Sequence, residues 1–566
     1  MGVKRAVDTV LDVARHRGRN RVFTYGPIIH NPQTVELLQR RGVSPADTMQ
    51  DIDGGIVVIR AHGITPEEKE ALSNKDVTLC DATCPRVSSV QSIIRKHASS
   101  GYTVIIAGDS EHPEVKGLMG YAAGRGVVVR NSEAVDELPP YDKVCVVAQT
   151  TQNLQEYQNI TEAIHEKYAD ATVFDTICRS TEKRQNEVRE LARDMDAMII
   201  VGGRNSANTQ RLAAISQAQD TPTYHVETAE ELKAIDLSRY DRVGISAGAS
   251  TPNWIIDGVV DYLLNYRDGK GTRRLPGLYA LWILGVRTDL YSAIGAGCLS
   301  LVGMLFQDIG ISLIDVMIAA TSVYALHTIN RLQDRNLGRI TGSFRESTYI
   351  RHRGAYQTIA LLALVVALAL AAVKGALPLV LLMLMSLFGA LYNITIFPAR
   401  WGCKRLADIP GSKNLFTAAA WGLVTVLIPQ SAVSLEVTMG TVMAFLFVFN
   451  IVFVKSALSD MLDIQSDRLV GRETIPVVMG EKPTRKLLQV ISILTGVIMI
   501  TAAVTGYAPW LSLALLASIF YIWICLGFYD RKTQFSNIVL EGLLGTNYLI
   551  AGVGALIWLI AARYMV

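Results

Sequence analysis

Residues 102–117 read YTVIIAGDSEHPEVKG, a short β-rich apolar run that stops at a polar turn bearing His112 and Glu114. The same arrangement recurs on either side, with helical stretches between. Upstream stand RVFTYG (21–26), GIVVIRAHG (55–63) and VTLCDA (77–82); downstream stand KVCVVAQTT (143–151), AMIIVGG (197–203) and RVGISAGAS (242–250). Strands alternating with helices predict an α/β unit with mainly parallel strands, and such sheets bind ligands beyond the carboxyl ends of their strands.

The residues just beyond these runs are chemically coherent. The ends offer His30 in GPIIHNPQ, His62 in AHG, Cys84 in DATCP, and His112 with Glu114. Further on come Thr150 and Thr151 in QTT, Cys178 in DTIC, Ser206 and Asn208 in GGRNSANT, and Ser250 in SAGAS. One such residue is an ordinary cap or turn. Taken together they can converge on one central site, where thiolates ligate soft iron and imidazoles, hydroxyls and amides hold the oxygens of a diphosphate. A carboxylate among histidines can carry protons.

The chain of 566 residues changes character near its middle. Up to about residue 266 it is charged; a charged, glycine-bearing linker, RDGKGTRRLPG, begins at Arg267. Beyond it, apolar stretches recur at 288–306, 311–330, 355–373, 376–396, 414–432, 436–456, 486–506, 509–528 and 539–562. Each is near the ~20 residues that span a bilayer as a helix, so nine transmembrane helices are expected. A mean hydropathy of +0.28 with 19% charged residues averages these two halves. Net charge is only +3, which gives no reason to expect a nucleic-acid partner. Seven cysteines without paired spacing argue against a disulfide framework. Cys145, Cys298 and Cys525 read as small core residues, and Cys80 sits within a strand.

The first segment, MGVKRAVDTVLDVARHRGRN, has no apolar signal region and reads as an amphipathic helix, which keeps the first half cytoplasmic. Loops after even-numbered spans then face inside, and they hold Arg331, Arg335, Arg339, Arg345, Arg351, Arg353, Arg400, Lys404, Arg405, Lys413, Arg468, Arg472, Lys482, Arg485, Lys486, Arg531 and Lys532. The opposite loops hold almost no base apart from Lys374, as positive-inside topology in a cell (inner) membrane requires. Two of these inner ends carry acids. HTINRLQDRNLGR (327–339) has Asn330 and Asp334; SDMLDIQSDRLVGRETIP (459–476) has Asp460, Asp463 and Asp467, spaced to share one face of a helix. Carboxylates so grouped suit Mg²⁺ bridging to a diphosphate.

The segments GVKRAVD, GPIIHNPQ, IRAHG, DATCPRV, HPEVKGLMG, AQTT, DTIC, NSANTQRL and AGAS, in this order over about residues 2–265, resemble the 4-hydroxy-3-methylbut-2-enyl diphosphate reductases, the LytB/IspH family. The resemblance implies a three-lobed α/β domain over 1–266 around a [4Fe–4S] cluster, removing a hydroxyl from an allylic diphosphate. By that resemblance Cys84 and Cys178 are cluster ligands, and His30, His62 and His112 surround the substrate. Glu114 and Thr150 form the proton relay, and Ser206, Asn208 and Ser250 bind diphosphate. A ferredoxin- or flavodoxin-like donor is implied. Ala207 stands where a second serine is usual. The family's first cysteine ligand, in FCxGV, falls before Met1 of this sequence. Either translation starts upstream or the module lacks its cluster; the retained site residues favour the first.

Residues 277–566, following the linker 267–276, resemble the UbiA superfamily of membrane prenyltransferases in D-x-x-D-x-x-x-D, GRETIP and DIPGSKNLF. The resemblance implies an all-α polytopic fold and Mg²⁺ at Asp334, Asp460, Asp463 and Asp467. Asn330, Lys413, Arg468 and Arg472 would lie against the diphosphate. The family's first motif is usually N-D-x-x-D-x-x-x-D; here Arg331 and Gly338 replace carboxylates. That either removes Mg²⁺ from this side or sets Arg331 directly on phosphate. Three functions stay open: two working enzymes acting on isoprenoid diphosphates beside the lipid bilayer, a prenyltransferase carrying a reductase-like scaffold, or a reductase anchored by an inactive membrane domain.

Overall fold

The computed structural model describes residues 2–18, 20–28, 31–264, 277–333, 349, 352–392, 394, 405–470, 472–529 and 537–564. The chain divides into two compact units, Met1–Leu264 and Asn265–Val566.

The first unit holds three separate parallel sheets. β1 (Val22–Tyr25), β2 (Val43–Ala46), β3 (Gly55–Ile59) and β4 (Val77–Asp81) run in the order β2-β1-β3-β4. β5 (Thr103–Ala107), β6 (Gly126–Val129), β7 (Val144–Ala148) and β8 (Thr172–Val173) run β6-β5-β7-β8. β9 (Ala197–Val201), β10 (Thr223–Val226) and β11 (Val243–Ala247) run β10-β9-β11. Every pairing is parallel. The central strands β7 and β9 are buried along their whole length, which is why VCVVA and AMIIV read as unbroken apolar runs. Four strands add to the seven expected: β2, β6, β8 and β10. Each lies at an edge, and β2 includes Pro45, a residue that sheets admit at edges because it cannot donate to the ladder. The amphipathic start is the helix Gly2–His16, which buries Ala6, Val10 and Leu11.

The second unit is helical. Its helix Arg353–Lys374 inverts the pattern of a soluble helix: Ala360, Ala367 and Ala371 are buried, while Leu361, Leu362 and Val365 are more than half exposed. Small residues inward and large apolar residues outward suit a helix that packs closely on neighbours and meets hydrocarbon. Interhelical polar bonds join Asn547 to Ser518 at 2.7 Å and Asn450 to Thr495 at 2.9 Å. Among the described residues, five helices are long and apolar enough to cross a membrane: Leu313–Leu332, Arg353–Lys374, Met439–Leu462, Glu481–Val504 and Asn537–Ala562. A sixth arises if Gly277–Arg287 and Leu290–Phe306, bent by 85°, count as one span. Nine crossings therefore exceed what helix length establishes. Ala376–Leu391 has 16 residues, and at ~1.5 Å per residue it falls short of a ~30 Å hydrocarbon layer. The stretch 414–432 is interrupted by a π-helical turn, Leu423–Leu427.

Leu290–Phe306 packs against that turn. A Cβ on Gly303 would run into the Thr425 carbonyl, so the two backbones pack on the missing side chain. Gly303→Val is expected to destabilise the second unit by ~1–3 kcal/mol, read as a lower melting temperature of the full chain in detergent.

Candidate functional site

Four of the predicted residues of the first unit share one local geometry: each is the N-cap of the helix after its strand. Cys84 caps Pro85–Ser99, His112 caps Pro113–Tyr121, Cys178 caps Arg179–Asp194 and Ser206 caps Ala207–Gln217. Free backbone N–H groups and the positive end of the helix dipole favour negative charge at such positions. Cys84, His112, Cys178 and Ser206 therefore stand where the helix ends stabilise negative charge.

Glu114 lies in the first turn of Pro113–Tyr121 and is 1% exposed. Its Oε1 accepts from the Thr150 backbone N–H at 2.6 Å and its Oε2 from the Thr150 hydroxyl at 2.9 Å. The Glu114 N–H in turn donates to His112 Nδ1 at 3.1 Å, and the His112 ring meets that of His62 edge-on, with centroids 5.2 Å apart. Burial pushes the Glu114 carboxyl above the usual carboxylate range; the Thr150 bonds and the charge of Arg211 oppose this without cancelling it. Thr150 also accepts the Cys178 N–H at 2.9 Å through its carbonyl, and the Cys84 N–H donates to the Ala61 carbonyl at 3.0 Å, one residue from His62. His62, Cys84, His112, Glu114, Thr150 and Cys178 thus belong to one bonded framework.

Arg86, quoted within DATCPRV but given no role there, closes the framework. Its guanidinium donates to the carbonyls of Asp175 at 2.7 Å, Thr176 at 3.3 Å and Ile177 at 3.1 Å, the three residues before Cys178. It ties the helix behind Cys84 to the segment carrying Cys178. Gly2 approaches the same place, since a Cβ there would lie 2.5 Å from Cys84 Sγ. Arg211, on the helix Ala207–Gln217, donates to the Thr151 carbonyl in the turn after β7. At the N-cap of that helix Ser206 is buried and its hydroxyl accepts from the Thr209 N–H at 3.4 Å, whereas the buried Asn208 Nδ2 has no acceptor among the described residues. Ser250 is half-buried after β11. His30 lies outside the described residues.

In the second unit the two acidic ends differ from their reading. Asp460, Asp463 and Asp467 do not share a face of one helix: Met439–Leu462 ends at Asp463, and a new helix, Ile464–Val470, starts beyond it. Asp460 and Asp467 are each 2% exposed, while Asp463 faces outward. Asp460 is held by Lys413 Nζ at 2.5 Å and Asn414 Nδ2 at 2.8 Å, both from DIPGSKNLF, and Gly411 of that segment donates to the Glu473 carbonyl at 3.0 Å. Asp467 pairs with Arg472 at 3.5 Å. Burial, reinforced by the Asp460 and Asp463 carboxylates, pushes the Asp467 carboxyl well above the usual carboxylate range. Burial and the nearby Arg331 bring the Arg472 guanidinium down to about 10.

Asn330 and Arg468 are half-buried, and Asp334 lies outside the described residues. Arg331 does not stand alone: it donates to Asp289 Oδ1 at 3.0 Å, a residue that belongs to no motif. Among the described residues no three His, Cys, Asp or Glu side chains gather as a cation-binding group.

Residues 1–264 match the model of the LytB protein family, and residues 290–539 that of the UbiA prenyltransferase family. The 4-hydroxy-3-methylbut-2-enyl diphosphate reductase of Geobacter sulfurreducens is 43% identical over 269 residues, covering 48% of this chain and 95% of that protein. The enzyme of the same description from Aquifex aeolicus is 43% identical over 272 residues, covering 48% and 94%. A solved UbiA homolog from Archaeoglobus fulgidus, bound to DMAPP and Mg²⁺, is 18% identical with a TM-score of 0.34, covering 48% and 96%. The sequence thus joins an oxidoreductase class to a transferase class. The chain belongs to the LytB family through residues 1–264, with a domain of the UbiA prenyltransferase family fused behind it over 290–539.

The geometry of the first unit leads to two expected outcomes. Because folding raises the Glu114 pKa, its contribution to stability is full below the unfolded carboxylate value and is lost as pH rises through the raised one. Glu114→Gln should flatten that stretch of the stability–pH curve, measured by calorimetry of the full chain. Arg86→Leu should cost ~1–3 kcal/mol and speed alkylation of both Cys84 and Cys178, counted by mass spectrometry.

Proposed function

We propose that this chain is a bifunctional isoprenoid enzyme. Its first unit, residues 1–266, reductively dehydroxylates 4-hydroxy-3-methylbut-2-enyl diphosphate to isopentenyl and dimethylallyl diphosphates. Its second, residues 277–566, transfers a prenyl group from a polyprenyl diphosphate to an acceptor. The observation that carries the first activity is the framework from Cys84 through Arg86, Cys178 and Thr150 to Glu114, in the fold of relatives that share 43% identity.

The donor set fits two thiolate ligands of a [4Fe–4S] cluster, Cys84 and Cys178, each at a helix N-terminus. Such a cluster, when bound, supplies two electrons drawn in turn from a ferredoxin- or flavodoxin-like donor. The chain's own residues bind and protonate. Asn208 Nδ2, with the Ser206 and Ser250 hydroxyls, would hold the diphosphate. His62 and His112 border the substrate, as His30 would from its place in GPIIHNPQ. Burial raises the pKa of Glu114 against the bonds from Thr150, which suits this carboxyl to holding the proton. That proton passes through Thr150 or His112 to the departing hydroxyl, which leaves as water, and a second proton, drawn from solvent, is added to the allylic carbon skeleton, so that two electrons and two protons are consumed.

In the second unit the carboxylates of Asp460, Asp463 and Asp467 suit Mg²⁺, which when bound would draw charge from a departing diphosphate. Lys413, Arg468 and Arg472 would stabilise the same leaving group, with Asn330 and Asp334 approaching it from the first motif. Nine spans with the first unit on the cytoplasmic side of the inner membrane agree with the bases in the even-numbered loops. The prediction is a double dissociation. Asp463→Asn should lower prenyl transfer on the order of a hundredfold and spare dehydroxylation. Glu114→Gln should do the reverse, on the order of a hundredfold or more, in anaerobic assays of the full chain. Equal loss of both activities in either variant would contradict two sites.

A further inference from the structure

The proton relay of the first unit depends on a turn that carries no acid or base of its own, QTTQ at residues 149–152. It follows β7, and within it Thr150 supplies both donors to Glu114, the backbone N–H at 2.6 Å and the hydroxyl at 2.9 Å. From its own sheet the turn is held through Gln149. The Gln149 N–H donates to the Ala107 carbonyl at 2.8 Å, and its side-chain amide donates to the Thr151 hydroxyl at 3.0 Å and accepts from the Asp109 N–H at 3.2 Å. Two side chains reach the turn from outside that sheet. Gln185, on Arg179–Asp194, donates to the Gln152 carbonyl at 3.2 Å. Arg211, on Ala207–Gln217, donates to the Thr151 carbonyl. The helix of Arg211 follows β9, so this bond ties the β10-β9-β11 sheet and its helix to the turn of the β6-β5-β7-β8 sheet.

Arg211 shares its helix with polar groups suited to the diphosphate. Ser206 is the N-cap, and Asn208 stands three residues before Arg211, so the two side chains leave the same face about one turn apart. Asn208 is 9% exposed and its Nδ2 has no acceptor among the described residues; a ligand oxygen would satisfy it. Backbone hydrogen bonds make one turn of helix a rigid piece. Whatever pins Asn208 therefore pins the backbone of Arg211, and with it the Thr151 carbonyl.

We propose that Arg211 is a positioning residue that couples the two halves of the reductase site: a diphosphate held by Ser206 and Asn208 steadies, through Arg211, the turn that presents Thr150 to Glu114. The relay is then held most firmly when there is a hydroxyl to protonate. Arg211 directs its bond to a carbonyl of the chain and not to the ligand, so its loss acts on the relay before it acts on affinity. This rests on the reading of the first unit as a diphosphate site.

The test is amide hydrogen exchange on the full chain in detergent, without oxygen, in the presence and absence of inorganic diphosphate. In the unaltered chain diphosphate should slow exchange at residues 150–152 about tenfold. Asn208→Ala should lose both diphosphate binding and that protection. Arg211→Met should keep its diphosphate affinity within about threefold yet lose the protection. Its turnover should fall on the order of tenfold to a hundredfold with KM little changed. Arg211→Lys, which keeps a donor for the carbonyl, should restore part of both. Undiminished protection in Arg211→Met would overturn the proposal, as would loss of its diphosphate binding, the mark of a direct ligand. Should that variant misfold, unchanged exchange at 150–152 in the unaltered chain with diphosphate bound overturns it equally. An unaltered chain that binds no diphosphate would instead remove the diphosphate reading, and the proposal with it.

Discussion

A carboxylate taken out of water must find a cation, a set of hydrogen-bond donors or a proton. Both units are organised around how they meet that demand. Glu114 is given neutral partners, the hydroxyl and N–H of Thr150. Burial raises its pKa, and the Thr150 bonds and the charge of Arg211 oppose that shift without cancelling it. Asp460, Asp467 and Asp289 each have a base in contact, Lys413, Arg472 and Arg331, and at Asp467 burial and the neighbouring carboxylates raise the pKa all the same. The same functional group is thus met by hydrogen-bond donors in one unit and by bases in the other.

The demand also explains the placement of the neutral and soft groups. In the first unit Cys84, His112, Cys178 and Ser206 are N-caps, and the strands before them are parallel, so the helix N-termini they cap come after the carboxyl ends of their strands. Parallel β-structure thus delivers positive dipole ends and polar side chains together. The side-chain bonds that join these ends cross long stretches of sequence: Arg86 to 175–177, Glu114 to Thr150, Arg211 to Thr151. The framework is consequently only as well placed as the packing of the strands beneath it. In the second unit the equivalent framework is a set of ion pairs between helix ends. Lys413 and Asn414 reach Asp460 because Gly411, left-handed at φ 72°, turns the preceding loop back onto Glu473.

The features legible in the sequence were local and patterned. Apolar runs ending in polar residues located seven of the eleven strands and the segments of the first site. Those missed, such as VSPA and the two-residue Thr172–Val173, are edge strands too short or too proline-marked to show alternation. The apolar stretches of the second half located its helices, but length alone carries five or six crossings rather than nine. The spacing of Asp460, Asp463 and Asp467 assumed a continuous helix, which the break at Asp463 removes. Arg86, Arg211 and Asp289 could not be read in advance, because their importance lies in partners far away in the chain. Asp289 in particular needs a left-handed turn that its neighbours Thr288 and Leu290 do not announce.

The central claim is that one polypeptide carries two diphosphate sites built on different electrostatic principles. Its most direct test is anaerobic equilibrium binding of 4-hydroxy-3-methylbut-2-enyl diphosphate and geranyl diphosphate to the full chain, separately and together. With two independent sites, each ligand binds in the presence of a saturating amount of the other, and neither is displaced. Mutual displacement, as of two ligands for one site, would contradict it.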